Sequence, residues 1–375
     1  MDLLCFRLET VYAGTAALPT LEIIEKPGFS ATLDHVRWLS AFVVLCGHAR
    51  NSLFLPYAAA PDLGVAGQAF YLLTNLQNEA VVCFFVISGL LIGGKLLDYA
   101  GRRDFPTRRY MIDRVTRLYV VLLPALALSG GVAVLGICES EGAAEWLGVV
   151  FQLQHILVPT MACNKPIWSL ANEFWYYTLG LAAALSWRGS RIALAALVAV
   201  LALLLAADPW TPQNVLLGLP FWCLGAGVYW VRRPLLGPRL SFVLFVLTLL
   251  ISRSHVLEGV FWLRDALIAL SLTVFLSAVS QESASGAIRL GGWGHRLASF
   301  SFTLYLTHWP LLMLYTHAVK LSSYHSYPLN PKLLQSYAVW AGAVLSCIAF
   351  AALMARFTEA RTGAVRAFLE AKLRF

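Results

Sequence analysis

Apolar segments long enough to cross a lipid bilayer recur along the whole chain. They lie at 36–54, 69–94, 118–137, 167–186, 192–207, 214–231, 240–252, 259–280, 297–317 and 334–355. About 20 apolar residues carry a helix across the hydrocarbon core. A helix also satisfies every backbone hydrogen bond within one segment, which lipid demands. Composition agrees: 59% of residues are hydrophobic and 13% charged, against about 25% charged in ordinary globular domains. The excess apolar surface must face lipid. The expected fold class is therefore all-α, a polytopic transmembrane helical bundle of about ten spans. The run at 240–252 is short, and those at 192–207 and 214–231 can be divided differently around Asp208-Pro209, so nine or eleven spans also fit.

Charge gives an independent test. With the N-terminus inside, only Arg50, Lys165, Arg253, Arg264, Lys320 and Lys332 fall outside or within spans. The other 22 of the 28 Lys and Arg residues lie on inner segments. That bias predicts cytoplasmic termini by the positive-inside rule. It also accounts for the net charge of +8 without nucleic-acid binding, because loop cations set topology and attract anionic lipid heads. The chain divides into a polar cytoplasmic tail (1–33), a transmembrane domain (34–356) and a basic cytoplasmic tail (357–375). No cleaved signal peptide is expected, since no uninterrupted apolar core precedes a small-residue cleavage site.

The longest outer segment runs from Cys138 to Pro166. Its stretch 144–157 predicts a short surface helix with Glu145 and Gln152 on the wet side. Cys138 and Cys163 bracket this loop on the oxidising face, where a disulfide or two separate thiols both fit. Cys46, Cys83, Cys223 and Cys347 sit in apolar runs as small hydrophobes. No Cys/His cluster has metal-ligand spacing, so no metal is expected.

Ionisable residues inside a membrane are costly and point to function. Arg37 and His48 are eleven residues apart, about 16 Å along a helix axis and about three turns, hence on nearly one face. A surface Arg can hold a phosphate while a deeper imidazole works on a hydroxyl. A snorkelling Arg and a His bonded to a backbone carbonyl fit the spacing equally well. In the run from Arg108 to Tyr119, Arg114 and Arg117 share a helix face. Guanidinium forks suit a donor carrying several phosphates; helix anchoring fits too. Glu173 lies about two turns into its span and needs a partner on another helix, for which a His is suited. Tyr305 and His308 precede Pro310, a residue that frees a backbone carbonyl. Ser88-Gly89 permits close helix approach. Arg264-Asp265 suits a neutralised structural pair.

These blocks in order resemble the acyltransferase 3 family of integral membrane acyltransferases. LDHVRWLSAFVVLCGH looks like the family's Arg-x10-His opening, FFVISGLLI its FFxxSGFL block, and DRVTRLY its Arg-x-x-Arg stretch. WSLANEFWYY resembles WSLxxExxFY, and SFTLYLTHWPLL resembles SYxLYLxHxPLL. The resemblance implies about ten spans and acyl transfer, usually acetyl from acetyl-coenzyme A, onto sugars of surface polymers or glycolipids. Two departures stand out. Val120 replaces the proline that usually follows Arg-x-x-Arg-Ile-Tyr, with Pro124 later. No esterase-like domain follows the last span, so the membrane domain would act alone or with a partner.

On that reading His48 and Glu173 are catalytic, with His48 either a general base or a nucleophile forming an acyl-imidazole. Arg37, Arg114 and Arg117 hold the phosphates of acetyl-coenzyme A or another acyl-coenzyme A. His308, Tyr305 and Ser88 line the side of a carbohydrate or glycolipid acceptor. The expected location is the cell membrane, with membrane lipids as further partners. A polytopic transporter and a non-catalytic lipid- or glycan-binding membrane protein are the alternatives. The acceptor's identity, the donor's acyl length and the oligomeric state are not fixed by the sequence.

Overall fold

A computed structural model describes residues 23–24, 26–60, 62–101, 104–139, 141–208, 210–231, 233–253, 257, 259–282, 293–322 and 327–373. Most of the N-terminal tail, Arg232, Arg289, Arg374 and the loop residues 323–326 lie outside them. The described residues are 79% helical and contain no strand.

The principal helices are α1 (Pro27–Leu53), α2 (Val65–Leu73), α3 (Gln77–Ser88), α4 (Gly94–Ala100), α5 (Thr107–Val134), α6 (Ala143–Val150), α7 (Trp168–Trp187) and α8 (Arg191–Ala207). There follow α9 (Val215–Gly227), α10 (Pro238–Ile251), α11 (Phe261–Ser280), α12 (Trp293–Ala298), α13 (Ser301–Leu321), α14 (Leu334–Met354) and α15 (Thr362–Lys372). A helical element occupies each of the ten apolar positions expected from sequence. Among the described residues, four helical stretches are long and apolar enough to cross a membrane: Val65–Ala100, Thr107–Val134, Phe261–Ser280 and Leu334–Lys372. Helices α8, α9 and α10 are apolar but shorter. At 1.5 Å per residue, α10 covers only about 21 Å.

Helix α1 is the hub, packing against α3, α11, α12, α13 and α14. Its residues Val44, Leu45, Ala49 and Leu53 are wholly buried. The periphery is the reverse. Ile192, Leu194, Val198 and Leu205 of α8 are exposed, as are Phe242, Val243, Leu247 and Ile251 of α10. Each would cost about 1.5–3 kcal/mol facing water rather than an apolar phase. Continuous apolar rims of this kind fit lipid.

Between α3 and α4 the helix widens into a π segment, Gly89–Gly93. It crosses α9 so closely that a Cβ on Gly89 would fall against the Trp222 carbonyl, and one on Gly225 against that of Val86. The close approach expected at Ser88-Gly89 is thus a backbone-to-backbone contact with α9. Helix α5 begins at Thr107 and runs through Pro124 to Val134. The basic run from Arg108 to Arg117 is therefore helical throughout.

In the 138–166 segment one point left open is decided and one expectation is corrected. Cys138 and Cys163 are joined in a disulfide with Cα atoms 5.4 Å apart. The surface helix stops at Val150, and Gln152 takes a left-handed conformation, φ 59°. That turn drives Gln152 inward: it is buried, not wet, and its carbonyl accepts from Trp175 Nε1 at 2.8 Å.

Candidate active site

The centre of the site is a pair of histidines from helices far apart in sequence. His48 Nδ1 lies 2.8 Å from His308 Nε2, with the rings nearly parallel at 11°. The indole of Trp309 meets the His48 ring edge-on at 5.1 Å. His308 is 0% exposed, whereas His48 is only partly buried.

Backbone contacts assign the tautomers. His308 Nδ1 lies 2.8 Å from the Tyr305 carbonyl and 3.1 Å from that of Leu304. A carbonyl only accepts, so Nδ1 carries the proton and Nε2 of the neutral ring is an acceptor. His48 must then donate from Nδ1. Its remaining nitrogen, Nε2, keeps a lone pair and has no hydrogen-bond partner among the described residues. This is the arrangement a general base or nucleophile needs.

The local fold explains why His308 is held so firmly. Pro310 has no N–H, which leaves the Leu306 carbonyl without its helical partner. Asn164 Nδ2 donates to that carbonyl at 2.9 Å. Tyr305 is pinned as well: its hydroxyl lies 2.6 Å from Ser169 Oγ and donates to the Pro166 carbonyl at 3.0 Å. α13 is thereby tied to the entry of α7 in the turn that precedes the histidine.

Glu173 lies elsewhere than beside His48. It accepts a hydrogen bond from the Tyr177 hydroxyl, one turn on along α7. Ser88 Oγ donates to Tyr177 at 3.4 Å and accepts from Trp222 Nε1 at 3.3 Å. The role expected of Glu173, to orient or pair with His48, is taken at His48 Nδ1 by His308. Likewise His308, Tyr305 and Ser88 do not line an open acceptor surface. Each is buried, and its polar atoms are engaged by neighbouring side chains or backbone.

The arginines gather at the opposite end. Arg37 and Arg117 line one small cleft with Asp34, His295, Ser299 and Glu359. His295 Nδ1 lies 3.0 Å from Asp34 Oδ2. Arg117 Nη1 pairs with Glu359 Oε1 at 3.1 Å, and its guanidinium lies 4.8 Å from the Phe302 ring centre. Arg114, three residues earlier, reaches other neighbours. It lies over the rings of Tyr177 and Tyr110, at 5.4 and 5.9 Å, and its buried Nε has no partner. Among the described residues neither Arg37 nor Arg114 has an ion pair. Arg264 and Asp265 pair at 2.8 Å, and Glu79 and Arg253 complete a four-charge cluster joining α3, α10 and α11. Arg264 and Asp265 are thus paired as neighbours, the arrangement that their adjacency suggested.

Sequence reasoning did not find His308 as the partner of His48, nor Glu359 as the partner of Arg117. The first carried a signal, an intramembrane His before a proline. Glu359 carried none, lying in a segment that reads as a basic tail. No group of three His, Cys, Asp or Glu among the described residues is arranged to hold a metal ion.

A family model described as an acyltransferase domain matches residues 30–356, nearly the whole chain. Comparison with curated proteins found no match, nor did comparison with solved structures. The matched span includes the histidine pair, Glu173 and all three arginines, and the chain belongs to the acyltransferase 3 family of acyltransferases.

Proposed function

We propose that this protein is a membrane-embedded acyltransferase that takes an acyl group, acetyl in the simplest case, from acyl-coenzyme A and gives it to a hydroxyl of a carbohydrate or glycolipid. The observation that carries the proposal is the His48–His308 pair, which leaves one imidazole nitrogen with a free lone pair within a helical membrane bundle. His48 Nε2 takes the proton of the acceptor hydroxyl as the alkoxide attacks the thioester carbonyl, then returns it to the departing thiolate. In the covalent variant, Nε2 itself attacks the thioester carbonyl, the C–S bond breaks as the coenzyme A thiolate leaves, and the acyl-imidazole is then attacked by the acceptor hydroxyl, freeing Nε2. In both, positive charge grows on the His48 ring, and His308 Nε2 accepts the hydrogen bond from Nδ1–H that keeps the ring oriented with Nε2 toward the substrate. His308 thus fixes the tautomer and orientation of His48, one of the two tasks a carboxylate performs in a catalytic triad.

Arg37 and Arg114, unpaired with any carboxylate among the described residues, would meet the donor's phosphates, with Arg117 beside them. Ten spans with cytoplasmic termini, a reading supported by the charge bias and the ten helical segments, would put the arginines inside. The Cys138–Cys163 disulfide suits the outer face. Transfer would then run from a cytoplasmic donor to an acceptor on or near the outer side of the cell membrane.

The test is turnover by the purified protein with acetyl-coenzyme A and a panel of glycan acceptors, following free thiol and acetylated product. Wild type should release thiol and make ester. His48→Ala should fold and insert normally yet lose about 10²–10⁴-fold in rate. Near-normal turnover by folded His48→Ala would remove this residue from the mechanism.

A further inference from the structure

The residues after α14 fold back along α5. Three ion pairs fasten them: Glu359 with Arg117 at 3.1 Å, Arg366 with Asp113 at 2.7 Å and Glu370 with Arg109 at 3.9 Å. The last lies at the surface, its side chains 40% and 34% exposed. Glu359 is different, at 1% exposed. While Oε1 accepts from Arg117, Oε2 accepts from the Thr303 backbone N–H and the Thr303 hydroxyl, both at 3.2 Å. Thr303 is the third residue of α13, so the carboxylate caps the N-terminus of a 21-residue helix. That end carries a partial positive charge and unpaired N–H groups.

A helix N-terminus, a hydroxyl and a guanidinium make a donor set that phosphate oxygens use equally well. Arg37 lines the same cleft and has no ion pair there. Asp34 stands in the cleft too, but it is engaged by His295, so Glu359 is the carboxylate that holds Arg117 there. We propose that Glu359 is a resident surrogate for phosphate: the α13 N-terminus, Thr303, Arg117 and Arg37 form a site for a phosphate monoester or diphosphate of the donor, and Glu359 vacates it when the donor binds. This rests on the donor reading above and adds the site's ligands and its built-in competitor.

The arrangement has a physical rationale. Buried cations left without an anion are costly. With Glu359 in place the bundle stays paired while no donor is bound. The same carboxylate weakens donor binding, because phosphate must displace it, and it refills the site as the product leaves.

The sign of one substitution separates surrogate from simple support. Glu359→Gln keeps an oxygen to accept from Thr303 but removes the charge that competes for Arg117. Full-length protein in phosphatidylcholine nanodiscs would be titrated calorimetrically with coenzyme A and, separately, with inorganic pyrophosphate. The expected result is about tenfold tighter binding of both by Glu359→Gln, the gain from one charge-assisted bond no longer contested. Glu370→Gln, on the same segment but at the surface, should bind as wild type does. Hydrogen exchange on the wild-type chain serves even if Glu359→Gln fails to fold: coenzyme A should speed exchange at residues 357–361. Equal or weaker binding by folded Glu359→Gln, or added protection at 357–361, overturns the proposal while leaving the donor reading intact. Failure of wild type to bind either ligand removes the donor reading itself. Loss of coenzyme A binding on adding phosphatidylglycerol would reassign the site to a lipid headgroup.

Discussion

His308 shows how much one side chain's surroundings decide. Read in sequence, an intramembrane His beside Tyr305 suggests a wall for the acceptor. In the fold it is wholly buried, its Nδ1 held by two carbonyls and its Nε2 turned on His48. A sealed imidazole cannot touch a sugar, but it can fix the tautomer and orientation of its neighbour. His308→Ala should therefore lower kcat by about 10²-fold or more, with little change in acceptor KM. A folded variant that instead raised acceptor KM at normal kcat would return His308 to substrate binding. Arg114 allows a second residue-level test. It has no ion pair among the described residues, so its substitution does not disturb a carboxylate, unlike that of Arg117. Arg114→Lys keeps the charge over Tyr177 and loses the planar fork. Donor KM should rise about tenfold if one charge-assisted bond is weakened. An unchanged KM would mean that Arg114 anchors the helix and does not grip phosphate.

Among the elements, the helices that carry the chemistry are the ones with the weakest membrane signal. α1, α7 and α13 have 27, 20 and 21 residues, yet none is apolar enough to stand among the four candidate spans. Asp34, Arg37, His48 and Arg50 dilute α1; Ser169, Asn172 and Glu173 dilute α7. Those residues are mostly sheltered by neighbouring helices, so lipid never tests them. Sequence periodicity and hydropathy revealed all ten helical segments because each reports one stretch against its surroundings. They could not reveal contacts between stretches. His48 meets His308 across 260 residues, and Arg117 meets Glu359 across 242. The inward turn at Gln152 was hidden for another reason: it depends on one left-handed backbone conformation. The contact of the π segment with α9 was half legible, since Ser88-Gly89 announced close packing but not its partner. Gly225→Ala puts a methyl group against the Val86 carbonyl. Backbone cannot rotate away as a side chain can, so overpacking should cost about 1–3 kcal/mol or more. Thermal unfolding in detergent should show a lowered Tm. A Tm equal to wild type would mean that α9 can slide outward without loss.

For the whole molecule the open question is which face receives the acyl group. The arginines fit for phosphate stand at the end of α1, α5 and α13 where the C-terminal segment folds back. The disulfide closes a segment of α5 and α7 at their other ends, and disulfides persist on the oxidising side of a membrane. His48 lies along α1 about 16 Å from Arg37 toward that second end. A thioester gripped by its phosphates at one mouth would thus point its acyl end into the bundle, toward a base nearer the opposite face. Expected outer segments are poor in Lys and Arg, so a polyanionic donor has little to hold it there, whereas their aromatic and hydroxyl side chains suit a sugar. An interfacial aromatic belt would look similar, so composition alone does not decide the matter. Sealed vesicles of known orientation do. Labelled acetyl-coenzyme A is supplied only to the cytoplasmic face and a membrane-impermeant glycan only to the other. Labelled glycan should form in that arrangement and not when the two reagents exchange sides. If product appears only when donor and acceptor share the cytoplasmic face, transfer through the bundle is wrong, and the enzyme acylates precursors before they are exported.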